Sequence, residues 1–179
     1  MAEHGIQDFL SAKRKAASRY GNVTAATLPS NSEIEAALVE YQRLFGASSH
    51  DEQLVRQRGH ALEAMRQLSP FQPRLVGPVL NGTATLHSDI LLHVFADNPE
   101  SVSMALLDHG IEYEITERRH RFGNEPARAH PGVRFALGTQ FVDVTVFPLD
   151  GIRQAPASPV DGRPMRRADI GELRTLLEG

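Results

Sequence analysis

The chain has 179 residues and no cysteine. That excludes a disulfide framework, thiol catalysis and cysteine-based zinc sites. No apolar run approaches the length of a membrane span, so no membrane partner is expected. The opening MAEHGIQDFLSAKRK has an acidic residue early and no apolar core of a secretory signal. A cytoplasmic location is the expectation that follows. Lysine is confined to Lys13 and Lys15. The stretch Gly77 to Thr83, GPVLNGT, therefore has the glycine spacing of a phosphate loop without its lysine, and is not a P-loop. A net charge of −3 removes any global electrostatic case for nucleic acid, although local patches can hide beneath it.

What is present is an ordinary globular composition at a length that supports one domain with an unstapled core. Ile6, Phe9, Leu10, Ala17 and Tyr20 follow helical spacing, with Gly21 as a stop. Ser32 with Glu35, and Ser49 with Glu52, have capping-box spacing. Ile34, Leu38, Tyr41 and Phe45 form the apolar face after the first, ended by Gly46. Leu54, Ala61, Leu62, Met65 and Leu68 form the face after the second, until Pro70 and Pro73 stop it. The character changes at Arg74. SDILLHVF reads as a strand, Asn98-Pro99 as a helix start, and IEYEITERRHRF as an alternating strand. VRFAL and QFVDVTVF flank Gly138-Thr139 as a hairpin. Pro148 to Arg167 is loop chemistry, and Asp169 caps a last helix through Leu177. The expected fold class is α+β, a mixed sheet with helices on one face. The expected divisions are an N-terminal helical segment (1–70), a core (71–150), and a C-terminal loop and helix packing on the core (151–179).

Side chains alternate along strands. Ile90, Leu92 and Val94 share one face with each other, as do Val142, Val144 and Val146. If those faces pack on helices, Asp89 and Asp143 emerge together on the opposite face. An aspartate inside a hydrophobic strand is disfavoured, which singles out Asp143. Two carboxylates converging on an open sheet face beside a glycine turn suggest a divalent-metal and phosphate site.

These residues resemble the nucleotidyltransferase superfamily, the DNA polymerase β-like fold and its minimal branch. Gly77 and Gly82 match its two glycines, Ser88-Asp89 its Ser-Asp pair, and Asp143 its late carboxylate, across roughly Leu75 to Pro148. The resemblance implies metal-dependent transfer of a nucleotide from a nucleoside triphosphate to a hydroxyl of a protein, RNA or small molecule. Asp89 and Asp143 would be catalytic and hold Mg²⁺ or Mn²⁺; Gly77, Gly82, Thr83 and Ser88 would cradle the triphosphate. Two positions depart. Pro78 stands where the family has a serine, and has neither hydroxyl nor N–H. Leu91 stands where the family has the metal-bridging aspartate, and cannot ligate. The alternative is a catalytically impaired member that binds a nucleotide, RNA or a protein partner.

His87 is a further metal candidate beside Asp89, provided the backbone there is extended; imidazole favours Zn²⁺ or Mn²⁺ over Mg²⁺. His93 shares Asp89's face but lies about 13 Å along the strand, too far to share an ion. The basic clusters Arg118–Arg121, Arg163–Arg167 and Lys13–Arg19 could meet phosphates, although solvated faces account for most such runs.

Overall fold

The computed structural model describes residues 29–45 and 47–178. The helix expected from Ile6 to Tyr20 lies outside them, and so do the side chains of Leu38, Tyr41 and Phe45.

Helix α1, Asn31–Phe45, starts on a reciprocal cap. Ser30 Oγ accepts from Glu33 N (3.2 Å), and Ser30 N donates to Glu33 Oε2 (2.7 Å). The box expected at Ser32 and Glu35 thus sits two residues earlier. SNSEIE offers the Ser-x-x-Glu spacing twice, and the helix takes the first. Helix α2, Ala47–Gln67, likewise begins ahead of Ser49. Its face of Leu54, Ala61, Ala64, Met65 and Leu68 is buried at the spacing a helix requires.

Five strands follow: β1 Arg74–Val76, β2 Ile90–Phe95, β3 Tyr113–His120, β4 Arg128–Leu137 and β5 Gln140–Phe147. The one-turn helix α3, Pro78–Asn81, links β1 to β2, and α4, Glu100–Asp108, links β2 to β3. Asn98 Oδ1 accepts from Glu100 N (3.0 Å) at the start of α4. The sheet order is β1-β2-β5-β4-β3. Only β2 and β5 run parallel; the other pairs are antiparallel, so the sheet is mixed and the fold is α+β. The last helix α5, Ile170–Glu178, begins at the expected Asp169, whose Oδ1 accepts from Glu172 N (2.9 Å).

Strand alternation sorts the sheet into two faces. Ile90, Leu92, Val94, Val142, Val144, Val146, Val133 and Phe135 join α2, α4 and α5 in one apolar core. Each large aliphatic side chain buried there contributes about 1.5–3 kcal/mol. The opposite face is polar and aromatic. Register sets Leu91 beside Asp143 and Asp143 beside Arg134, then His93 beside Thr145 and Thr145 beside Gly132. Arg118 pairs with His130 on the same face.

The segment after β5 is less irregular than its composition suggests. A 3₁₀ turn covers Leu149–Arg153, and Ala157 and Pro164 form a bridge. Ala157 N donates to Arg121 O (2.7 Å) at the β3 end, and Ala168 exchanges hydrogen bonds with Leu75 at the β1 edge (2.8 and 2.9 Å). The segment thus straps the polar face from one sheet edge to the other. Among the described residues, no helix is long and apolar enough to cross a membrane.

Candidate functional site

Between this strap and the polar face of the sheet lies a cleft of about 940 Å³. Asp89, Asp143, His87 and Ser88 all line it, so the two aspartates do share one space. Gly77, Gly82 and Thr83 are not among its lining residues; Pro78 and Leu91 are.

The glycine turn is held from behind by α2. His50 Nε2 meets Gly82 O at 3.1 Å, and Gln57 Nε2 donates to Thr85 O at 2.9 Å. Arg58 donates to Val79 O and Leu80 O, both at 3.3 Å. Pro78 occupies the first turn of α3, where a missing N–H costs nothing. Gly77 has φ +73° and ψ −153°, a conformation open essentially to glycine alone. A Cβ on Gly77 would come within 2.9 Å of Leu91 Cδ1. Leu91 therefore packs over the turn, on the side where the resemblance would have a bridging carboxylate. Ser88 Oγ is engaged locally, accepting from Thr85 N (2.9 Å). His87 sits in an exposed turn, not on extended backbone, so the condition for its joining Asp89 on one strand face is not met.

Both aspartates are taken by arginines. Arg134 grips Asp89 through Nε (3.2 Å) and Nη2 (3.1 Å to Oδ2), and its guanidinium stacks on Phe141, 3.8 Å from the ring centre. Arg118 donates from Nη2 to Asp143 Oδ2. Asp143 is only 4% exposed, and burial raises its pKa, against the hydrogen bond and charge of Arg118 that lower it. A two-metal centre does not fit this donor set. Each carboxylate already faces a guanidinium, Leu91 supplies no ligand, and among the described residues no group of three or more His, Asp or Glu side chains is placed to hold a metal ion.

Four arginines, Arg118, Arg119, Arg121 and Arg134, line the cleft against the two aspartates. Their balance is two positive charges in a chain whose total is −3. The sequence offered the cluster Arg118–Arg121 but no reason to prefer a site over a solvated face. Arg134 was missed entirely. Strand alternation alone gives its only signal: Arg134 is two residues from Gly132 and shares its face.

Deeper along the same face, His93, His120 and His130 stack around Phe147. Ring centres are 5.3 Å apart for His93–His120 and 5.9 Å for His120–His130. Arg167 reaches in from the strap, donating from Nε to His93 Nδ1 (3.2 Å) and from Nη1 to Gly151 O (2.9 Å). Burial, then the neighbouring positive charges, lowers all three imidazole pKa values, that of His120 to about 4 and that of His93 well below its ordinary value. The unfolded chain binds these protons near pH 6.5 and the folded chain does not. Stability should therefore fall as pH drops from about 6.5 toward 4, by on the order of 3 kcal/mol from His120 alone. Asp143 acts in the opposite sense, because its raised pKa makes the folded state take up a proton first. Urea unfolding at pH 7 and pH 4.5 measures the balance. His120→Gln should make the midpoint less sensitive to acid than in the wild type, and a variant whose midpoint shifts between these pH values as much as the wild type's would refute the assignment.

No family model, curated protein or solved structure matches this chain.

Proposed function

We propose that this chain is a nucleotidyltransferase-like protein that binds a nucleoside triphosphate in the strap-covered cleft without transferring it. The observation that carries this reading is one lining with two characters. Arg118, Arg119, Arg121 and Arg134 bring positive charge, while Val76, Pro78, Leu91 and Met165 form an apolar wall. A triphosphate suits the first and a flat base the second. Leu91 over Gly77, and the arginine pairing of both aspartates, favour binding over catalysis.

A second reading keeps the transfer reaction. Asp89 and Asp143 do line one cleft, and would serve Mg²⁺ or Mn²⁺ if they left their arginines. The test is thermal unfolding with each of the four nucleoside triphosphates, followed by incubation with labelled nucleotide and Mg²⁺ or Mn²⁺. A saturable rise in Tm without label transfer is expected. Label on a hydroxyl acceptor or on the protein itself would select the second reading. No shift with any nucleotide would remove both and leave an RNA or protein partner.

A further inference from the structure

We propose that the cleft binds its nucleotide without a divalent cation, with the guanidiniums of Arg118 and Arg134 in the role that metal ions take at such a site. The inference rests on the nucleotide-binding reading above and specifies the ion requirement of that same cleft.

The argument starts from charge. A metal site that handles a triphosphate concentrates carboxylates, and the cation offsets both them and the phosphates. Here the carboxylates are offset already. Asp89 and Asp143 each hold a guanidinium, and Arg119 and Arg121 remain as surplus at the rim. Arg119 donates only to a backbone oxygen, Ala127 O at 2.9 Å, and Arg121 makes no side-chain ion pair among the described residues. A cleft with a surplus of two positive charges repels a free divalent ion and attracts a free phosphate.

Geometry agrees with charge. Mg²⁺ demands near-octahedral oxygen coordination and gives up its water reluctantly. Leu91 puts a hydrocarbon against the glycine turn, where a bridging oxygen would be needed. Arginine forks, by contrast, meet phosphate oxygens through paired N–H donors. Arg134 is oriented for this from both sides, by Asp89 at its Nε edge and by Phe141 beneath its plane. Arg118 is fixed by a nearly buried partner. Neither arginine must search rotamers when a phosphate arrives, which lowers the entropic cost of binding.

Isothermal titration of the full chain with ATP, GTP and inorganic triphosphate, each in EDTA and in excess MgCl₂, tests this. The expected result is binding in EDTA at an affinity equal to or higher than in MgCl₂, because Mg²⁺ removes charge from the phosphates. Arg134→Gln should weaken binding about tenfold or more in EDTA. Circular dichroism verifies that the variant folds, and the wild-type comparison stands without it. Binding that needs Mg²⁺ overturns this inference and leaves nucleotide binding intact. No binding in either buffer overturns nucleotide binding, and this inference with it.

Discussion

Arg118→Met should cost about 3–5 kcal/mol of folding stability at pH 7. Asp143 is 4% exposed and its Oδ2 is held by Arg118. Removing the guanidinium leaves a carboxylate in a low-dielectric setting without its main compensation. Loss of the two influences of Arg118 that lower its pKa leaves burial dominant, and the pKa rises further. The variant's deficit should shrink as pH falls, because protonation removes the stranded charge. Replacing both partners, Arg118→Met with Asp143→Leu, should restore most of the loss, since an apolar pair of similar volume avoids desolvating any charge. Urea unfolding of the wild type, both single variants and the double variant forms the cycle. A single-variant loss below about 1 kcal/mol would mean that the pair behaves as an exposed one.

A second large effect is expected from Gly132→Ala. A Cβ at Gly132 would lie 2.5 Å from Val144 O and 2.8 Å from Thr116 Oγ1. The threonine can turn away; the carbonyl belongs to the neighbouring strand and cannot. β4 must therefore move from β5, at a cost of about 1–3 kcal/mol for overpacking. Gly132 lies two residues from both His130 and Arg134 on the cleft face, so the nucleotide binding proposed for the cleft should weaken along with stability. Adding Thr116→Ala should recover only part of the loss, because the carbonyl contact remains. A Gly132→Ala protein with unchanged Tm would contradict the register of β4 on β5.

The parts legible in advance were those governed by local period and local chemistry. Alternation in SDILLHVF and QFVDVTVF predicted which residues face the helices, and it brought Asp89 and Asp143 to one side. Gly138-Thr139 turned the hairpin, and Asp169 with Glu172 capped the last helix. Where one stretch satisfied a local rule twice, as in SNSEIE, the helix start was displaced by two residues.

The occupants of the site were a different matter. Asp89 and Arg134 are 45 residues apart, and Asp143 and Arg118 are 25 apart. Whether they meet depends on the order and register of β2, β5, β4 and β3, set by the packing of the whole sheet. The strap that closes the cleft has no period to read, because its backbone is held by one isolated bridge between Ala157 and Pro164 and by bonds to the sheet edges at Arg121 and Leu75. By itself the sequence determined an α+β chain with an aspartate pair on one sheet face, because side-chain alternation is a property of any single strand. Only the tertiary structure decided that those aspartates face arginines and that Leu91 covers Gly77. Ion pairs and steric contacts between distant residues exist only once the strands are laid side by side.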